Sequence, residues 1–186
     1  VYALPDQIVY ADADTVQLLV NGRSVGRKKV KECKALFSKV TYEPGEIEAI
    51  ALDAAGRETG RARLISATGA TKLKLSPERT LLRANGQDLC FLDIDLVGEN
   101  GVTRSSVDQK LTVEVTGAGT LQAFGSARPH MAEDFVSQSH TTYYGKALAV
   151  IRAGYEPGEI RVKVSGKDME EEITLRVTAD DSWEKM

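Results

Sequence analysis

Two aspartates, Asp93 and Asp95, stand two residues apart. On a strand that spacing puts both carboxylates on one face. Paired carboxylates are the equipment of glycoside hydrolysis, and retaining enzymes hold them about 5–5.5 Å apart. Cys90, Leu92, Ile94 and Leu96 take the opposite face, so the pair reads as the wet side of a half-buried strand. Glu170-Glu171-Glu172 reads as protection of a strand edge. Gly117-Ala118-Gly119 lacks the helix and the Lys-Ser/Thr of a phosphate loop and reads as a turn or bulge. Ser137 and Ser139 lie near His130 and His140 in sequence, but no nucleophile elbow is present. The two histidines and two cysteines, Cys33 and Cys90, lack zinc-ligand spacing. No catalytic residue, metal or other cofactor is expected, and the cysteines are expected as reduced, buried or half-buried thiols. The basic stretch Arg27-Lys28-Lys29-Val30-Lys31 reads as a solvated hairpin.

One segment is less easily explained. From Phe124 to Gly145 the chain shows little alternation and carries Arg128, His130, Glu133, Phe135, His140, Tyr143 and Tyr144. About 20 residues without a regular element are uncommon in a compact domain and are often functional. Aromatic side chains with polar neighbours can stack on a sugar or dock on another domain. These seven residues, with Trp183 near the C-terminus, are the candidate contacts. The alternative is a long loop at a sandwich end, packed by its own side chains.

The surrounding elements must be strands. The chain has 186 residues, 42% of them hydrophobic and 27% charged, with a net charge of −3. Such a balance supplies no basic field for nucleic acid or an anionic membrane. The longest apolar run, Ala147 to Ile151, is far short of a spanning helix. Alternation marks Thr15 to Val20, Glu46 to Leu52, Leu89 to Val97, Leu111 to Val115, Ile160 to Val164 and Ile173 to Val177. Period two with one wet face predicts antiparallel sheet over a core. Only Lys31 to Val40 suggests a helical turn. All three asparagines precede glycine, at Asn21, Asn85 and Asn100, and Asn-Gly supplies the positive φ angles of tight hairpins. Asp53 to Gly56 and Ser165 to Asp168 read as two more hairpin turns. The fold class is all-β, a sandwich or barrel.

A repeat suggests two modules. Tyr42-Glu43-Pro44-Gly45-Glu46-Ile47 recurs as Tyr155-Glu156-Pro157-Gly158-Glu159-Ile160, 113 residues later. Each copy precedes an alternating strand, a turn and a second strand. The small, polar run Ser66 to Thr71 places a boundary between modules 1–67 and 68–186. The first is small for a sandwich, so its first strand lies upstream or it leans on a neighbour.

Residues along both modules resemble the C-terminal part of family 2 glycoside hydrolases of the β-galactosidase type. The first module carries Tyr10-Ala11-Asp12-Ala13-Asp14, Asn21-Gly22-Arg23-Ser24-Val25-Gly26 and Tyr42-Glu43-Pro44-Gly45. The second carries Lys72-Leu73-Lys74-Leu75, Gly117-Ala118-Gly119-Thr120-Leu121, Phe124-Gly125-Ser126-Ala127 and Tyr144 to Ala153. The resemblance implies two tandem immunoglobulin-like antiparallel β-sandwich domains from a retaining enzyme that acts on β-glycosides. In that family the acid/base glutamate follows an asparagine. No Asn-Glu pair occurs here and there is no room for a barrel, so the catalytic residues are not carried over. The resemblance thus implies an accessory region that packs on the parent's catalytic barrel, shapes the site rim or supports an oligomer. Other readings are a carbohydrate-binding module and an immunoglobulin-like spacer of a bacterial surface protein. Val1 in place of an initiator Met suggests a processed chain or a piece of a longer one. Reduced cysteines favour the cytoplasm.

Overall fold

A computed structural model describes residues 6–130 and 132–180. The chain divides into two compact units, Val1–Ser66 and Ala67–Met186. Every regular element among the described residues is a strand.

The first unit holds β1 (Gln7–Tyr10), β2 (Thr15–Val20), β3 (Arg23–Lys29), β4 (Lys34–Phe37), β5 (Glu46–Leu52) and β6 (Glu58–Ile65). They form a four-stranded sheet, β3-β2-β5-β6, and a two-stranded sheet, β1-β4. Val16, Leu18 and Val20 on β2 meet Ala35 and Phe37 on β4, with Val40 closing the core. Asn21 and Gly22 both have positive φ, 50° and 75°, at the β2–β3 turn, as a hairpin of that hand requires. Asp53 Oδ1 accepts from the Ala55 and Arg57 amides, holding the β5–β6 turn.

The helical turn suggested for Lys31 to Val40 is not present. Lys34–Phe37 is a strand that pairs with β1. Lys31 and Lys34 exchange backbone hydrogen bonds at 2.9 Å across Glu32 and Cys33, whose φ angles are 50° and 60°. Alternation at Ala35 and Phe37 outweighed local helix propensity, because both side chains reach the core only from a strand. Cys33 at this tip is exposed, which corrects the expectation of burial. Cys90 is buried, and burial pushes its thiol pKa up.

The second unit holds β7 (Lys72–Pro77), β8 (Leu81–Arg83), β9 (Leu89–Val97), β10 (Lys110–Gly117), β11 (Gly119–Gly125), β12 (Ser139–Thr141), β13 (Lys146–Ala153), β14 (Gly158–Gly166) and β15 (Met169–Thr178). One sheet runs β12-β10-β14-β15-β8 and the other β11-β13-β9-β7. All pairings are antiparallel except β15 with β8. Leu92, Ile94 and Leu96 from one sheet and Val113, Ile160, Val162 and Leu175 from the other fill the core. The six alternating segments all lie within strands.

Two details explain sequence features. The hairpins that follow the two Tyr-Glu-Pro-Gly-Glu-Ile copies are β5–β6 and β14–β15. Tyr42 joins Ser66 by a 3.0 Å hydroxyl contact, and the Tyr155 ring lies over Gly86, where a Cβ would collide with it. Gly117-Ala118-Gly119 is the corner at which the chain leaves one sheet and enters the other, with Ala118 alone between β10 and β11. The Ala118 amide donates to the Glu159 carbonyl, and its own carbonyl accepts from Gly154.

Candidate functional site

The outer face of the four-stranded sheet of the second unit is more apolar than a solvent face needs to be. Alternation along β13 turns Ala147, Ala149 and Ile151 into the core and leaves Lys146, Leu148 and Val150 outward. The register places Asp93 beside Leu148 and Phe91 beside Val150, while Ala123 pairs with Val150. Paired residues across antiparallel strands share a face. Phe91 and Leu148 are exposed.

Two loops raise aromatic rings at the end of this face. Tyr143 and Lys146 exchange backbone hydrogen bonds around Tyr144 and Gly145, with φ of 52° and 71°. The turn is held from below: the Gly145 amide donates to Asp108 Oδ1 at 3.1 Å, and a Cβ on Gly145 would lie 2.6 Å from the Arg104 carbonyl oxygen. Tyr144 is thereby lifted into solvent at 60% exposure. Its ring centroid lies 4.4 Å from that of Tyr143, tilted 54°. A hydrogen bond with Tyr144, and then burial, raise the Tyr143 phenol above its ordinary pKa. Arg128 stands 5.4 Å over the Tyr143 ring and pairs with Asp108 at 2.9 Å.

The second loop presents Phe135. Asp134 Oδ1 accepts from the amides of Val136 and Ser137, and the Phe124 amide donates to the Phe135 carbonyl at 2.8 Å. The Phe135 ring covers Gly125, where a Cβ would collide with it. It also stacks on His140 at 5.8 Å and 14°. The structure shortens the irregular segment expected from Phe124 to Gly145, because β11 runs on to Gly125 and β12 pairs with β10 towards the segment's end.

Phe135, Tyr143 and Tyr144 come together with Asp93, Lys146 and Leu148 around one groove of about 620 Å³. The other candidates fall elsewhere. Arg128 supports Tyr143 from behind. His140 is 0% exposed, with Nδ1 3.0 Å from the Thr141 carbonyl. It lies beneath the patch as the floor for Phe135, which corrects its place among the contact residues. His130 is exposed and does not line the groove. Trp183 lies outside the described residues.

Glu133 acts as a clamp. Its carboxylate accepts from the Thr141 amide at 2.9 Å and the Thr141 hydroxyl at 2.8 Å. The amide bond, foremost, holds its pKa below the ordinary glutamate value. A carboxylate with a lowered folded pKa adds stability above its unfolded pKa and loses it as pH falls through the folded value. Thermal melts taken downward from neutral pH should thus show an acid loss of stability that Glu133→Gln abolishes in part. An identical acid slope in the variant refutes the clamp.

Asp95 also departs from expectation. It is 9% exposed, held by Lys146 Nζ at 2.7 Å and by the Thr103 hydroxyl. Only Asp93 of the pair faces solvent, because Lys146 on the neighbouring strand covers its partner. Among the described residues no group of three or more His, Cys, Asp or Glu could hold a metal ion. Asp93, Lys146 and Leu148 are groove residues that sequence reasoning did not place there. The available signal was the run Ala147 to Ile151, since a strand apolar on both faces is usually covered on both.

Residues 73–178 match the family described as glycoside hydrolase family 2 C-terminal domain 5. The chain belongs to this family. Residues 7–60 match a second family, described as a domain of unknown function (DUF4982). Beta-galactosidase BoGH2A of Bacteroides ovatus is 29% identical over 174 residues, covering 92% of this chain and 20% of that protein. The chain thus spans about a fifth of the length of this curated relative. Among solved structures, a family 2 glycosyl hydrolase from Bacteroides cellulosilyticus DSM 14838 matches 91% of this chain and 24% of its own, at 30% identity and a TM-score of 0.86. A second structure from Bacteroides cellulosilyticus matches 93% of this chain and 23% of its own, at 29% identity and a TM-score of 0.87. A family 2 β-glucuronidase structure shares the fold, with a TM-score of 0.86 at 17% identity over 95% of this chain and 19% of that one. This family 2 C-terminal region is therefore all-β, as the alternation predicts, and built of largely antiparallel sandwich sheets, as the resemblance implies.

Proposed function

We propose that the chain is the non-catalytic C-terminal accessory part of a larger family 2 glycoside hydrolase of the β-galactosidase type, packed against the parent's catalytic barrel. The observation that carries this reading is the incomplete cover of the first unit. Ile47, Ala49 and Ala51 pair with Val20, Leu18 and Val16 and share their inward face. The same face continues onto β6 as Leu64, Ala62 and Gly60. The two-stranded β1-β4 sheet does not reach that far, and Leu64 is 75% exposed. The outward face of the hairpin is laced instead by ions: Arg61 pairs with Glu48 and Glu58, and Arg63 with Glu46. An inward face left apolar beside a charged outer face suits burial against another protein surface. The shared ancestry with much longer family 2 enzymes supports the barrel as that surface.

Two measurements test this. The 186-residue chain should show no turnover of nitrophenyl β-galactoside above a buffer blank, and any turnover overturns the non-catalytic reading. In the whole enzyme, Leu64→Asp should cost about 2 kcal/mol or more, the burial value of a leucine side chain. In the chain alone it should change stability by less than about 0.5 kcal/mol. Equal effects in both settings argue against packing on the barrel.

A further inference from the structure

We propose that the groove of the second unit is a binding site for a neutral oligosaccharide, with Tyr144 and Phe135 as stacking walls and Asp93 as the hydroxyl acceptor. The groove combines features that a protein interface and a sugar site use differently. Its volume, about 620 Å³, lies in the range of small-ligand clefts, roughly 300–1,000 Å³. Its walls are apolar and aromatic, which suits the C–H face of a pyranose ring.

The polar groups decide between occupants. No hydrogen bond or ion pair holds Asp93 among the described residues, although it lines the groove. A dry protein interface would bury that carboxylate unpaired unless it brought its own donor, at a cost of several kcal/mol. A sugar brings donors everywhere, since vicinal hydroxyls can both donate to one carboxylate. Lys146, the cation in the lining, is already neutralised by Asp95 at 2.7 Å. The field in the groove is therefore that of Asp93, and it repels uronic acids and sulfated sugars.

The walls are also held in place before any ligand arrives. Tyr144 sits on a turn tied to Asp108, and Phe135 on a loop tied to Phe124. Little ordering remains to be done on binding.

Calorimetric titration of the 186-residue chain with galactotetraose, cellotetraose and maltotetraose, and with trigalacturonate as the anionic control, tests the inference. At least one neutral tetrasaccharide should bind in the micromolar to millimolar range, and trigalacturonate more weakly by at least about tenfold. Tyr144→Gly removes the ring while suiting the positive φ of that position, and should weaken binding at least about tenfold. Tyr144→Phe should retain binding, and Asp93→Asn should narrow the gap between neutral and charged sugars. No heat from any neutral probe at about 10 mM overturns the proposal. So does binding that Tyr144→Gly leaves unchanged, or a preference for trigalacturonate. If no sugar binds and Tyr144→Gly instead destabilises the whole parent enzyme, the groove is a domain-docking surface and the proposal fails.

Discussion

Phe124→Ala is expected to lower the stability of the second unit by about 3–5 kcal/mol, the usual cost of removing a buried aromatic ring. Phe124 is 0% exposed on β11 and meets His140 edge to face, with ring centroids 6.0 Å apart. Two losses combine in the variant. The cavity removes packing from the sandwich core, and the buried imidazole of His140 loses an apolar wall. Domain stabilities are about 5–15 kcal/mol in total, so the variant unit should stand near the edge of folding. At a urea dependence of about 2 kcal/mol per molar, the midpoint should fall by about 1.5–2.5 M. Phe124→Leu keeps most of the volume and should cost about 1.5 kcal/mol or less. Equal midpoints for Phe124→Ala and the parent sequence would show that this ring is not part of the core.

Gly117→Ala should cost about 2–5 kcal/mol, from a strained left-handed backbone and a forced contact together. Gly117 has φ of +93°, and a Cβ there would overlap the Glu159 carbonyl oxygen. That oxygen cannot retreat freely, because it already accepts from the Ala118 amide at 2.9 Å. Gly101→Ala is the control. Its φ is +74° but nothing lies within 4 Å of its added Cβ, so it should cost only about 1 kcal/mol. Urea midpoints of the two variants separate the steric part from the conformational part. A loss no larger at Gly117 than at Gly101 would refute the account of the corner.

Legibility differed between the two units. Ile160, Val162 and Val164 declare their face by alternation alone, and they occupy it at 0% exposure. Glu32 and Cys33 gave no such signal. They form a tight turn with positive φ without the glycine or asparagine that marks one, so local residue types pointed to a helical turn. The neighbouring β1–β4 pairing supplied the deciding energy, and pairing partners distant in sequence are invisible to a local pattern.

The groove shows the same division. The aromatic residues between Phe124 and Gly145 were recognisable as unusual because they lacked a strand pattern. Which of them share a surface depends on where β12 pairs with β10 and on how the loop folds Phe135 back over Gly125, and neither is declared by a local pattern. His140 and Tyr144 are four residues apart, yet one is 0% and the other 60% exposed.

The Asp93 and Asp95 pair marks the boundary most sharply. Sequence alone determined that both lie opposite the core face of one strand, since side chains alternate with a period of two. It also determined an all-β chain and the hairpins at Asn21-Gly22, Asp53 to Gly56 and Ser165 to Asp168, whereas Asn85-Gly86, read as a hairpin signal, joins strands of different sheets. Only the tertiary structure decided that Lys146, from a strand some 50 residues away in the chain, neutralises Asp95 and leaves Asp93 open. Alternation is a local property of the backbone, whereas the charge and cover of a carboxylate depend on what the sheet places next to it.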